Sequence, residues 1–447
     1  MNTDPLAKVI IDPATVIGTP GHIRVGRATN GRWWLLRHDN KPFLYRGVCA
    51  LWMPADYTGG EAHQYRVLWE EKNGKNTDGL VRHCLDIIQA SGFNALGEWA
   101  TEQFWNRGLP FTILIPIREV RIESNITPGI PDIFDPLLRQ AFDARCRITC
   151  SSQASSTELV GYYVDNEGSW GTMRRDFVWG QDTGPIIDHS NVIGKERLLL
   201  QIFLAADAKH PGALRAWEWV KARHGGNNTK VFQDWGITCN SPEEFRALDA
   251  QGLKLASKNY WDDHVAFTAF YVREYFRFTA ETIRRYDPNH LLLGARFGGP
   301  PGMEMLQALD RRHIDILSWN CYQSTFYERC EELSVSTGMP QLNGEFSWAS
   351  GHFLDWDRLM KLENFTAEEI AHCRKLGQAT LEKAITHPNL VGYTWYKFCC
   401  NSAGPDQPHC GLIDAAGTES RFNSVLLSEI NSRLEGIAVG TIQPKTD

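Results

Sequence analysis

Residues 159 to 171 read Leu-Val-Gly-Tyr-Tyr-Val-Asp-Asn-Glu-Gly-Ser-Trp-Gly. Leu159 to Val164 is a short apolar and aromatic run, the pattern of a strand buried on both faces. It stops abruptly at Asp165, Asn166 and Glu167, with Gly168 next. Ionisable side chains are rarely buried unless paired or functional. A buried strand ending in Asp-Asn-Glu therefore predicts a carboxylate at the rim of a parallel sheet, where enzymes of that architecture keep their chemistry. The competing expectation is an Asp/Asn turn beside a solvated Glu.

A second stretch, residues 340 to 348, reads Pro-Gln-Leu-Asn-Gly-Glu-Phe-Ser-Trp. It is again strand-like, with one acid, Glu345, among a glycine and aromatics. Two carboxylates at two strand ends, distant in sequence, match the needs of glycoside hydrolysis. One serves as general acid/base with a raised pKa, and the other attacks or supports the anomeric carbon.

Working outward, eight short apolar runs alternate with stretches of helical spacing. The runs fall at residues 42–48, 93–99, 111–117, 159–164, 290–297, 314–322, 340–348 and 390–398. Helical spacing is evident at 78–90, 135–148, 262–286, 367–386 and 424–434. Alternation of this kind predicts an α/β fold, and a count of eight favours a (β/α)8 TIM barrel over an open sheet. The expected organisation is an N-terminal arm with a β-hairpin over 1–40, one catalytic barrel over 41–436 and a tail over 437–447. The interval from Gly168 to Pro288 is the longest between strands. Helices around 195–208 and 211–224 exceed what one crossover requires, and they predict an enlarged loop after the fourth strand.

The chain has 447 residues, 43% hydrophobic, with a formal net charge of -7 and a pI near 6.1. This is enough apolar material for a large core and gives no basic footprint for nucleic acid. No run of eighteen apolar residues predicts a membrane span. The N-terminus lacks a basic region followed by an apolar core, so the expectation is a cytoplasmic protein. With a removed leader the expectation becomes periplasmic or secreted. The 11 cysteines include no CxxC pair, so they read as core thiols in a reducing compartment. His63, His83 and His409 have no partner at ligand spacing, and no phosphate loop is present; no metal or cofactor is expected. The 16 Trp are more informative, because several sit just past strand ends, where flat rings stack on sugar faces.

If the strand ends share one rim, further residues join the two acids. Asn166 is placed to bond a sugar hydroxyl, plausibly the 2-OH. Tyr322 and Asn320 end the sixth strand, and Tyr322 is placed to donate to Glu345 and hold it ionised. Trp395, within the eighth strand, is the expected floor of the reacting sugar's subsite, with core packing as its alternative. Arg296 and Glu98 either bind hydroxyls or pair with each other. Trp99, Trp170 and Trp348 are candidate aromatic walls. Arg174 and Arg175 either greet charged groups on a glycan or lie in a solvated loop.

Together these stretches resemble clan A of the glycoside hydrolases, retaining enzymes on (β/α)8 barrels in which Asn-Glu ends strand four and a Glu nucleophile ends strand seven. Asn166-Glu167 and Glu345 match those positions. Within the clan the chain looks most like glycoside hydrolase family 50, the β-agarases. The likeness rests on residues 161–171, on Asp-Pro-Asn-His-Leu-Leu-Leu-Gly-Ala-Arg-Phe (287–297) and on Gly411-Leu-Ile-Asp414, and it runs from about Gly31 to Leu434. The resemblance implies Glu167 as acid/base, Glu345 as nucleophile and a β-linked, galactose-containing substrate. Glu98 stands where an agarase of this family is expected to have Asn. The chain also shows no counterpart to the large carbohydrate-binding region that such enzymes often carry. The first bears on how the sugar is bound, and the second favours a soluble oligosaccharide attacked from one end over solid agar. Another glycan (a β-galactoside, β-mannan or sulfated galactan such as carrageenan) and a non-catalytic sugar-binding barrel are the alternatives. No oligomeric state follows from these features.

Overall fold

The computed structural model describes residues 4–53, 60–168, 170, 197–298 and 302–445. The chain opens with β1 (Arg24–Arg27), β2 (Trp33–Leu36) and β3 (Pro42–Phe43), followed at once by β4 (Tyr45–Val48). Next come α1 (Glu61–Asn73), α2 (Thr77–Ala90), β5 (Ala95–Leu96), β6 (Phe111–Leu114), β7 (Asn125–Thr127), β8 (Ile130–Pro131), α3 (Pro136–Gln153) and β9 (Leu159–Tyr163). A helical interval holds α4 (Leu199–Ala205), α5 (Pro211–Arg223), α6 (Asn228–Trp235), α7 (Pro242–Ala250) and α8 (Lys258–Tyr286). The last third carries β10 (Leu291–Leu292), α9 (Met303–Leu306), β11 (Leu317–Asn320), α10 (Phe326–Thr337) and β12 (Gln341–Phe346). It ends with α11 (Trp356–Met360), α12 (Ala367–Ile385), β13 (Leu390–Trp395) and α13 (Arg421–Ala438).

Eight of these strands form one curled sheet in the order β10-β9-β6-β5-β4-β13-β12-β11. Every neighbouring pair in it is parallel. Past the end of β10, Phe297 forms a parallel bridge with Trp319 of β11, the strand at the other edge of the sheet. There the Phe297 amide donates to Ser318 O at 3.1 Å and the Asn320 amide to Phe297 O at 2.7 Å. The strands that end in Asp-Asn-Glu and Asn-Gly-Glu are β9 and β12, fourth and seventh of the eight.

Strands β1, β2 and β3 form a separate antiparallel sheet. Its Ile23, Val25, Trp33, Leu35 and Phe43 form one buried cluster with Tyr45, Ala95, Val160, Leu291, Ile316, Leu342 and Val391 of the curled sheet. Arg32 fixes the arm by donating to His387 O and Leu390 O, both at 3.0 Å, beside the start of β13. The arm thus fills the N-terminal end of the sheet, opposite the functional rim.

The second and fifth strands are shorter than the sequence pattern suggests. The apolar run at 93–99 pairs only as Ala95–Leu96, and that at 290–297 only as Leu291–Leu292. Past these residues Trp99 takes φ 57°, Gly294 φ 76° and Arg296 φ 40°. Left-handed backbone breaks the ladder and swings side chains onto the rim.

Among the described residues four helices, rather than two, lie between β9 and α8. The eight-residue α6 and nine-residue α7 offer too few turns for a clear 3.6-residue period. The α1 helix was equally inconspicuous, since it buries only Ala62 and Tyr65. Phe203 of α4 packs edge-on against Phe267 and Tyr271 of α8, and Trp219 of α5 stacks on Phe270. Among the described residues no helix is long and apolar enough to cross a membrane. Arg174 and Arg175 lie outside the described residues.

Candidate active site

At the end of β12 all six residues of the strand are buried. Glu345 is 1% exposed, a costly place for a carboxyl unless it has partners. It has two. Arg296 Nη2 donates to Glu345 Oε1 at 2.8 Å, and the Tyr322 hydroxyl donates to Oε2. Gly344 makes this approach possible: a Cβ there would stand 2.7 Å from Arg296 Nε and from Asn320 Oδ1. The glycine before the acid is therefore a seat for the guanidinium.

Arg296 is fully buried and joins four strand ends. Its Nη1 donates to Asn166 Oδ1 at 2.8 Å and its Nη2 to Gly344 O at 2.9 Å. Nη2 also lies 2.8 Å from Glu98 Oε2. The guanidinium sits over the Trp99 ring, 4.7 Å from its centroid, and 5.5 Å from that of Tyr163. Of the two sequence expectations for Arg296 and Glu98, the structure has them paired. Glu98 is fully buried, and its other oxygen accepts from Thr112 Oγ1 at 3.0 Å. It faces the guanidinium rather than an open surface.

Glu167 ends β9 differently. Its backbone sits at φ 50°, unusual for a residue with a Cβ. Its amide donates to Arg296 O at 3.0 Å, and its Oε1 accepts from Asn320 Nδ2 at 2.9 Å. Asn320 also reaches Asn166 Oδ1 at 3.3 Å. Asn166, Glu167, Arg296, Asn320, Tyr322 and Glu345 therefore belong to one hydrogen-bonded network across the ends of β9, β11 and β12. Trp99, Glu167 and Arg296 all hold left-handed backbone, and such conformations persist where surrounding structure enforces them, often at functional sites.

The electrostatics follow from these contacts. Burial pushes the Glu167 carboxyl above its ordinary value, with the Asn320 bond and the nearby Arg296 and Arg118 charges opposing it. Burial also pushes Glu345 up, to about 8, and the Glu167 charge adds to that rise, whereas Arg296 and Tyr322 pull it down. The Glu167 charge thus disfavours ionisation of Glu345, and the donors around the two carboxyls differ. Glu345 receives a guanidinium and a hydroxyl, so the carboxylate is better held there; Glu167 has one neutral amide, so the proton is better held there.

Sequence reasoning missed Arg118. Its Nε lies 3.0 Å from Asp165 Oδ1, and its Nη2 donates to the Asn166 carbonyl. Arg118 thus clamps the end of β9 from the loop after β6, and burial still pushes Asp165 up to about 7. No local pattern flags an arginine whose partner lies 47 residues on. Three tryptophans sit deeper than expected. Trp395 and Trp348 are fully buried, with ring centroids 4.3 Å apart. Their Nε1 groups donate to Cys410 O at 2.7 Å and Asn423 Oδ1 at 2.9 Å. Core packing, the alternative reading of Trp395, is the role seen, and Trp348 shares it. Trp170 packs against Tyr271, Tyr275, Phe276 and Phe297. Trp99 alone among the four tryptophans is half-buried at the site.

A curled parallel sheet with two carboxyls on its C-terminal rim, one held by a guanidinium and a phenol and the other by a single neutral amide, has the layout of a paired-carboxylate glycoside hydrolase site. No family model matches the chain. Beta-agarase B from Vibrio sp. (strain JT0107) is 24% identical over 274 residues, 60% of this chain and 27% of that protein. Beta-agarase A from the same strain is 23% identical over 331 residues, 69% of this chain and 30% of that protein. The matches thus span under a third of the length of these curated relatives. A solved exo-β-agarase shares the fold with a TM-score of 0.70 at 17% identity, covering 97% of this chain and 70% of that one. The similarity to β-agarases seen in the motifs therefore extends to the fold of nearly the whole chain.

Proposed function

We propose that the protein is a retaining glycoside hydrolase that removes units from one end of β-linked, galactose-containing oligosaccharides. Glu345 attacks the anomeric carbon while Glu167 gives its proton to the departing glycosidic oxygen. The first bond breaks as the carboxylate–sugar ester forms. Glu167, now ionised, takes a proton from water; the hydroxide oxygen displaces Glu345 and both residues return to their starting states. Arg296 and Tyr322 keep Glu345 ionised before attack and stabilise it as a leaving group afterwards. Asn166 is placed to meet the reacting sugar's hydroxyls.

The observation that carries this reading is the asymmetry of donors on two networked carboxyls. The similarity to β-agarases supports the galactan substrate, and the exo-β-agarase fold match supports action from a chain end. Two variants test it. Glu345→Gln should abolish turnover with the fold intact, and full activity in that variant would end the assignment. Glu167→Ala should retain activity only on substrates with a good leaving group and be rescued by azide, giving a β-glycosyl azide. An α-azide, or no rescue by a folded variant, would count against retention with Glu167 as acid/base.

A further inference from the structure

All 11 cysteines lie among the described residues; Cys400 is partly exposed and the rest are buried. Cys400 follows β13, where the chain from Tyr396 to Cys400 runs beside a later segment, His409 to Ile413. The two segments are stitched together at the backbone. The Lys397 amide donates to Cys410 O and the Cys400 amide to Ile413 O, both at 3.0 Å, and the Leu412 amide donates to Phe398 O at 2.8 Å. From α13, Asn423 Nδ2 donates to His409 O and Gly411 O, both at 2.7 Å. Gly411 lets the segments come this near: a Cβ there would stand 2.6 Å from Cys400 N and 3.0 Å from Cys400 Cβ. Cys410, the residue before it, therefore brings its thiol against that of Cys400, and both thiols are free.

Donors surround the pair. His409 Nδ1 accepts from the Gly411 amide at 3.1 Å, so the neutral ring carries its proton on Nε2. Nε2 is buried without an oxygen or nitrogen acceptor, and the Cys400 sulfur adjoins the ring. Lys397, whose Nζ lies 3.1 Å from Glu61 Oε2 of α1, stands close by, and Tyr396 and Cys399 complete the surroundings. The Cys410 S–H, His409 and Lys397 pull the Cys400 thiol down to about 5 against its burial. The bond to Cys400, with burial, holds the Cys410 thiol well above its ordinary value. Burial likewise raises Cys84, Cys330, Cys373 and Cys399, which leaves them poor nucleophiles.

We infer that Cys400 and Cys410 form an oxidisable dithiol that reduces a hydroperoxide, with Cys400 as the attacking thiolate and Cys410 as the resolving thiol. The Cys400 sulfur attacks one peroxide oxygen; an S–O bond forms, the O–O bond breaks, and the other oxygen leaves as water after taking a proton from solvent. The Cys410 sulfur then attacks the Cys400 sulfenic acid; the S–S bond forms, the S–O bond breaks, and the hydroxyl leaves as water with the Cys410 proton. Two thiols are oxidised to one disulfide and one hydrogen peroxide is reduced to two waters. The first step removes the Cys400 charge that holds the Cys410 proton, which prepares the second. None of this depends on the carboxyl pair or on any sugar.

The test treats the reduced, unaltered protein with an equivalent of hydrogen peroxide at neutral pH. Remaining thiols are alkylated in denaturant, and cleavage before Asp406 separates the two cysteines for mass spectrometry. The Cys410 fragment should be found linked to Cys400. Linkage of Cys410 to Cys399, or both Cys400 and Cys410 alkylated after the peroxide is consumed, would overturn the inference. In Cys410→Ser, dimedone should label Cys400, and Cys400→Ser should slow thiol loss by about tenfold. An unlabelled Cys400, or an unchanged rate, would remove it as the attacking group. The rate in the unaltered protein should stay level on acidification until the pH approaches about 5. A steady fall from about pH 9 to pH 7, the behaviour of an ordinary thiol, would overturn the thiolate assignment.

Discussion

The ends of β9 and β12 place the same residue type on the same rim and give it opposite surroundings. Glu345 is sealed, with a guanidinium on one oxygen and a phenol on the other. Glu167 is less enclosed and is held by one amide. The difference teaches that identity and position do not set a carboxyl's role; its donors do. A charged donor and a hydroxyl favour the anion, and burial with a single neutral donor favours the acid.

The sharpest way to break the comparison is at the carboxyls themselves. Glu345→Gln should lower kcat on an activated aryl galactoside by on the order of 10⁴-fold or more, and Glu167→Gln far less on that substrate. Equal losses, or the reverse order, would exchange the two roles. Next in size is Arg296→Met, which leaves Glu98 and Glu345 facing one another in the interior. Removing one partner of a buried ion pair costs about 3–5 kcal/mol, to be read from urea unfolding. A loss under about 1 kcal/mol would mean the guanidinium does not set the two ends apart.

Tyr322→Phe is a gentler probe. Losing a hydrogen bond to a charged group costs about 1.5–3 kcal/mol, or roughly ten- to a hundredfold in kcat/KM, with the fold unchanged. A similar loss from Asn320→Ala on the aryl substrate would erase the distinction between the two sets of donors. The smallest effect is a displaced pH profile. The Glu167 charge raises the Glu345 pKa, so a neutral Gln at 167 should lower it. The acidic limb of kcat/KM on the aryl substrate, set by ionisation of Glu345, should therefore move to lower pH. Movement to higher pH would show that the two carboxyls are not coupled as described.

Much of this was legible in the chain. Apolar runs ending in acids located β9 and β12 because a strand buried on both faces has no place for a carboxylate except at its end. The Tyr322 bond to Glu345 was foreseen from its place at the end of the sixth strand. Trp395 was harder. Strand alternation gives two faces but does not say which is walled off, and here Trp348 and Asn423 come from elsewhere to seal that region. The pairing of Glu98 with Arg296 stood as one of two options until the fold put them 2.8 Å apart. Short polar helices such as α1 stayed hidden, since a helix burying two side chains leaves almost no periodic trace.

By itself the sequence determined the alternation of strand and helix, the two acids and the strand ends that carry them, because local burial patterns are written in neighbouring residues. Only the tertiary structure decided how those acids differ. Arg296, Arg118 and Asn320 act across tens of residues, and a carboxyl's proton is governed by what lies a few ångströms away in space, which residue order does not encode.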